Sequence, residues 1–269
     1  MDLLKRRIVV KVGTTNIMRE NRSVNLNRLD KLARVLSDAK NMGNEIVLVS
    51  SGAIAVGSNK LGFRERPREL RIKQAVAAVG QLELMHLYEK LFAEYGQTVG
   101  QILLTDEDVK SEQRRENLIR TFDALFELGV IPVVNENDSV SSVEIETGHN
   151  KILGDNDTLS AIVAVLCKAD KLILLSDVDK LYDCDPHSNP NAKPVNVVTE
   201  ITSALREMAG GSGSGWGTGG MSTKLQAAEV AMKSGVEVTI TDGDHLERIY
   251  DILEGCTVGT RFVPTNRKD

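Results

Sequence analysis

DNDTLSAIVAVLCKADKLILLS, residues 155–176, changes its period halfway along. Its first part sets Leu159, Ile162, Val163 and Leu166 on one face at helical spacing, behind Asp and Asn residues of the kind that cap helices. Its second part, KLILLS, is a short unbroken apolar run, the pattern of a strand buried on both faces. A helix that feeds directly into a doubly buried strand is one unit of an α/β chain.

The same alternation extends in both directions. Strands are predicted at Arg7–Val12 and in EIVLVSSG, TVGQILLT, VIPVVNE, VEVTIT and TVGTRFV. Between them, helices are predicted over NLNRLDKLARVLSDAKNMG (Asn25 as cap, Gly43 as stop), Ile72–Tyr95, 112–128, MSTKLQAAEVAMKSG and 244–254. Ser139–Leu153 has no helical period and reads as a hairpin. Continuous apolar strands separated by amphipathic helices indicate a mainly parallel sheet covered on both faces. Such sheets bind ligands beyond the carboxyl ends of their strands. The polar residues at those ends are therefore the candidates: Lys11 and Gly13, Ser50–Gly52, Asn135–Asp138, Asp155–Asp157 and Ser176–Asp179.

Composition narrows the partners. The chain has 269 residues, 41 % hydrophobic and 26 % charged, with a net charge of −5, which suits a large globular core. That balance leaves no basic excess for nucleic acid. Cys167, Cys184 and Cys256 lie far apart without metal or disulfide spacing, so a reduced, cytoplasmic protein is expected. The N-terminal apolar run is too short for a signal peptide or a membrane span.

Seven of the eleven residues from Gly210 to Gly220 are glycine. A flexible linker would read this way. So would a phosphate-binding loop, because Thr218, Ser222, Thr223 and Lys224 follow at the start of a helix. GWGTGG fits G-x-G-x-x-G formally, but no strand precedes it, and no Walker A, protein-kinase or G-x-S-x-G pattern occurs. Lys11, at the end of an apolar strand, needs a partner: a structural ion pair or an anionic ligand. Asp155-Asn156-Asp157 supplies more polar groups than one cap requires.

Taken in order, VVKVGTT, LVSSGAIAVG, KQAVAAVGQ, GQILLT, PVVNENDSV, GDNDTLSA, KLILLSDVDKLYDCDP and GTGGMSTKLQAA resemble the amino-acid kinase family over nearly the whole chain. The resemblance implies a three-layer αβα sandwich forming a single domain. An N-terminal lobe (about 1–169) would hold the amino acid and a C-terminal lobe (about 170–269) the ATP. Within the family it is to the enzymes that phosphorylate the side-chain carboxylate of glutamate on the way to proline, in the form without a C-terminal RNA-binding-like (PUA) domain.

By the same resemblance, Lys11 and Lys224 are the two phosphoryl-stabilising lysines and Asp157 the acid that holds them. Ser51, Gly52, Asp138 and Asn156 contact glutamate. Ser176, Asp177, Thr218, Gly219, Gly220, Met221, Ser222, Thr223 and the two lysines contact ATP. Asp138 suits the α-ammonium, and Ser51, Gly52 and Asn156 the α-carboxylate. Mg²⁺ on the phosphates, free proline as feedback inhibitor and a homo-oligomer are implied likewise. Two departures stand out: Lys180 where relatives usually have glycine, and a longer stretch at Glu146–Leu153.

The chemistry fits. A carboxylate with a reference pKa of about 4.3 is already ionised and needs no general base. It needs relief from repulsion by a polyanionic phosphate, and alignment. Two lysines would supply the first, and an acid between them would stop them repelling each other. Another family member, acting on aspartate, acetylglutamate, carbamate or uridylate, and a non-catalytic nucleotide-binding regulator remain the alternatives.

Overall fold

The computed structural model describes residues 5–141, 153, 155–184, 189, 191–209 and 220–265. Along the chain the elements run β1 (Arg7–Val12), α1 (Thr14–Ile17), α2 (Leu26–Asn41), β2 (Glu45–Ser50), α3 (Ala53–Lys60), α4 (Leu70–Glu94) and β3 (Val99–Leu104). Next come α5 (Asp106–Lys110), α6 (Glu112–Glu127), β4 (Ile131–Glu136), α7 (Asn156–Leu166) and β5 (Lys171–Ser176). The last part holds β6 (Leu181–Tyr182), β7 (Pro194–Val195), β8 (Val197–Val198), α8 (Ser203–Ala209), α9 (Met221–Lys233), β9 (Glu237–Asp242), α10 (Arg248–Glu254) and β10 (Thr260–Phe262).

Eight of the described strands form one sheet in the order β3-β4-β2-β1-β5-β9-β10-β8, and β6 pairs with β7 apart from it. From β3 to β9 every pairing is parallel; only β10 runs against β9. The apolar runs explain this. All six residues of β4, of β5 and of β9 are buried, as a strand covered on both faces requires.

Alternation along β1 divides the core. Val9 joins a cluster with Leu159 and Val163 of α7, Leu225 and Ala228 of α9, and Phe122 of α6. Ile8, Val10 and Val12 face the other way, against Leu29 and Leu36 of α2 and Leu84 and Tyr88 of α4. With helices on both faces, the fold is the three-layer αβα sandwich. Lys11 follows Val9 by two residues and so shares its face, toward α7 and α9.

Two glycines bring α3 onto α4 with no side-chain layer between them. A Cβ at Gly57 would stand 2.0 Å from the Val76 carbonyl oxygen, and one at Gly80 would stand 1.8 Å from that of Ala53. The helices therefore cross at backbone contact, and α4 carries the KQAVAAVGQ segment beneath the turn at Ser51.

The predicted strands and long helices match described elements, with ends shifted by a few residues. Asn25 caps α2 by accepting from the Arg28 N–H at 3.2 Å. Lys180 costs no backbone strain, since the described non-glycine residues with positive φ are Arg22 and Lys168. The expected hairpin lies outside the described residues from 142 to 152, as does nearly all of the longer 146–153 stretch. No helix among the described residues is long and apolar enough to cross a membrane.

Candidate active site

Because β1, β2, β4, β5 and β9 are parallel, their carboxyl ends share one edge of the sheet, and helices α1, α3, α7 and α9 begin near it. Asp155 caps α7: its Oδ1 accepts the Asp157 N–H at 2.8 Å and the Thr158 N–H at 2.9 Å, which fixes the first turn. That turn carries Asp157 inward, where it is 1 % exposed.

Two ammonium groups meet it there. Lys11 Nζ, from β1, lies 2.6 Å from Asp157 Oδ1, and Lys224 Nζ, from the first turn of α9, lies 3.3 Å from Oδ2. Both lysines are buried. Thr223 Oγ1 sits 2.9 Å from Asp157 Oδ2 and 2.8 Å from the Gly220 carbonyl, tying the start of α9 to α7. Burial alone would raise the Asp157 carboxyl pKa, but Lys11 and Lys224 outweigh it and hold the group below the usual aspartate value. Asp155 goes the other way, raised by burial and by the Asp157 charge beside it.

The triad carries formal charges of +2 and −1, so it presents a net positive charge to the strand-end edge. The backbone around it is built for anions. Helices α1, α3 and α9 each start at a glycine N-cap, Gly13, Gly52 and Gly220, with no side-chain cap among the described residues, the kind of helix start that can face an anion. Gly52 sits at φ +98°, and a Cβ there would stand 2.3 Å from Ile17 Cδ1, so no other residue fits the turn comfortably.

Of the expected glutamate-binding residues, Asn156 and Ser51 fall beside the triad. Asn156 Nδ2 donates to Ser51 Oγ at 2.7 Å and to Asn135 Oδ1 at 3.3 Å, and Asn135 Nδ2 donates to Gln81 Oε1 at 2.8 Å. The Asn156 amide nitrogen, expected to serve a substrate carboxylate, is thus engaged inside the protein. Ser50, just before Ser51, shares a 2.7 Å hydrogen bond with the hydroxyl of the fully buried Tyr88. Asp138 lines an adjoining cleft of about 260 Å³ with Ala53, Ala77, Gln81, Leu103 and Glu136.

On the expected ATP side, Ser176 closes β5 and its hydroxyl donates to Asp177 Oδ1 at 3.0 Å. Gly220 to Lys224 enter α9 as described, with Met221 half-buried and Ser222 exposed. Thr218 and Gly219 lie outside the described residues with the rest of the glycine run. No group of three or more His, Cys, Asp or Glu side chains among the described residues could hold a metal ion. The two lysines gathered at the strand ends suit an anion.

Asn135 and Gln81 were not among the residues expected to bind glutamate. Asn135 stood in view inside the polar run at the end of β4. For Gln81 the signal was a polar residue on the stripe of Ala77, Leu84 and Tyr88, all three buried.

The sequence model of the amino acid kinase family matches residues 6–242. The chain is similar to the glutamate 5-kinase of Clostridium perfringens, 53 % identical over 96 % of this chain and 95 % of that one. It is also similar to the glutamate 5-kinase of Clostridium acetobutylicum, 49 % identical over 97 % and 96 %. Among solved structures it resembles the carbamate kinase of Giardia lamblia bound to AMP-PNP, with a TM-score of 0.67, 15 % identity, and coverage of 97 % of this chain and 99 % of that one; at that identity the likeness concerns the fold. Matched by the family's model across more than half its length, and sharing about half its residues with two curated relatives, the chain belongs to the amino acid kinase family.

Proposed function

We infer that this protein transfers the γ-phosphoryl group of ATP to the side-chain carboxylate of glutamate, giving glutamyl 5-phosphate and ADP at the entry to proline biosynthesis. The observation that carries this reading is the buried Lys11–Asp157–Lys224 triad, with Asn156, the neighbour of Asp157, bonded to Ser51. Relatives of about 50 % identity that are glutamate 5-kinases support the choice of acceptor.

The substrate carboxylate is the nucleophile. It attacks the γ-phosphorus, the bond from that phosphorus to the β,γ-bridging oxygen breaks, and ADP leaves with the electron pair. No proton has to move, so no general base is required. The barrier lies in bringing one anion against another. Lys11 and Lys224 lower it by facing the negative charge from two different elements, and Asp157 keeps them from drifting apart. The uncapped starts of α1, α3 and α9 add N–H donors without adding charge. Ser51, Asp138 and Asn156 hold the amino-acid end, while Ser176, Asp177 and the segment from Thr218 to Lys224 hold the nucleotide. Mg²⁺, carried on the phosphates, supplies further charge neutralisation when bound.

The first 169 residues would then hold the amino acid and the remainder the ATP. A cytoplasmic location, a homo-oligomer and inhibition by free proline belong to the same reading. The deciding experiment is ATP-dependent hydroxamate formation with glutamate and with aspartate, each with and without proline. Glutamate-dependent product that falls as proline rises supports the reading. Preference for aspartate overturns the acceptor, and ATP binding without ADP release overturns the enzyme.

A further inference from the structure

The geometry points to Gln81, on α4, as a positioning residue that fixes which atoms of the glutamate cleft donate and which accept. This rests on the placement of glutamate beside Ser51 and Asn156.

Three amides and one hydroxyl form a relay with a single direction. Asn135 gives its N–H to Gln81 Oε1 at 2.8 Å, so its own carbonyl oxygen turns to Asn156 at 3.3 Å. Asn156 then spends its amide nitrogen on Asn135 and on Ser51 Oγ at 2.7 Å. What remains to a ligand follows from that accounting. Asn156 retains its carbonyl oxygen, an acceptor, and Ser51, having accepted, retains its O–H, a donor. An acceptor beside a donor matches the ammonium and carboxylate on the α-carbon of an amino acid.

The direction hangs on Gln81. Asn135 is only 2 % exposed, so water cannot take over an amide left without a partner. Without the carbonyl of Gln81, the Asn135 amide is free to turn over, facing its NH₂ toward the NH₂ of Asn156. The relay then reverses, and the cleft offers the wrong atoms to both ends of the substrate. Gln81 itself lines the cleft that holds Asp138, and it follows Gly80, whose backbone is pressed on Ala53. Its position is therefore fixed against the Ser51 turn.

The test compares Gln81→Met, which keeps length but removes the acceptor, with Gln81→Glu, which retains it. Steady-state kinetics are run on glutamate and on glutarate, which has the same carboxylates but no ammonium group. Gln81→Met is expected to raise KM for glutamate about tenfold or more and to narrow the glutamate-to-glutarate ratio of kcat/KM. KM for ATP and Tm should stay near wild type, and Gln81→Glu should restore the ratio. An unchanged ratio in Gln81→Met overturns the proposal. So does a parallel rise in both KM values with a falling Tm that Gln81→Glu leaves uncorrected, the pattern of a packing defect. Ser51→Ala separates the two levels. If it raises KM for glutamate while Gln81→Met does not, the relay alone fails; if neither does, the placement of glutamate fails with it.

Discussion

Replacing Asp157 with asparagine keeps the side-chain shape and removes the one charge that two buried ammonium groups share. At 2.6 and 3.3 Å, and with an effective dielectric near 20, the gross attractions are about 6 and about 5 kcal/mol. Much of that offsets the water lost by three buried groups. Breaking a buried pair by removing one partner costs about 3–5 kcal/mol. At about 2–4 °C per kcal/mol for a domain of this size, Tm should fall by roughly 6–20 °C. ATP should recover part of the loss, since its phosphates replace the missing anion. Turnover should fall on the order of 10²-fold, because lysines that repel each other leave their productive positions. The acid limb of stability should change as well. The folded pKa of Asp157 lies below the unfolded value of 3.8, so its contribution is present above that value and is lost as the pH falls through the depressed folded pKa; the variant should lack this loss. Calorimetry from pH 7 down to about 2, with and without ATP, beside an ADP-release assay, measures all three. A variant with wild-type Tm and turnover would refute the reasoning.

Lys11→Met and Lys224→Met should each lower turnover by on the order of 10²–10³ and Tm by less than Asp157→Asn does, because one lysine still neutralises the acid; ADP release and thermal melts decide it. Gly80→Ala places a methyl carbon 1.8 Å from a backbone oxygen, so urea unfolding should show a loss of about 1–3 kcal/mol or more. Tyr88→Phe removes a buried hydroxyl bonded to Ser50 and should cost about 1 kcal/mol while raising KM for glutamate. Burial also pushes the Tyr88 phenol well above its ordinary pKa, so a difference titration at 295 nm against Tyr88→Phe should show no Tyr88 ionisation near pH 10.

The strands were legible because double burial writes itself as unbroken apolar runs, as in KLILLS. The long helices showed through period and caps, Asn25 above all. Short elements were not. Helix α3 has only eight residues, ends in Ser58, Asn59 and Lys60, and packs through Gly57 at backbone contact, so it is too short to carry a readable stripe. β6, β7 and β8 have two residues each, too few to show any period. Lys11, Asp157 and Lys224 were found as charged residues at strand and helix ends, and the structure gathers them at one point. Resemblance, rather than spacing, joined them, since 146 residues separate the first two along the chain. Gln81 escaped because its partner, Asn135, is 54 residues away, a pairing that only the fold creates.

The bare crossing of α3 and α4 also limits how this enzyme can be redesigned. With no interlocking side chains at the joint, there is nothing to trim or enlarge, and the two helices behave as one plank bearing both the Ser51 turn and Gln81. That wall of the cleft cannot yield by small steps. A broader acceptor range would have to be opened from the opposite bank, at Asn137 and Ser139, which line the cleft just beyond the end of β4 and belong to no helix.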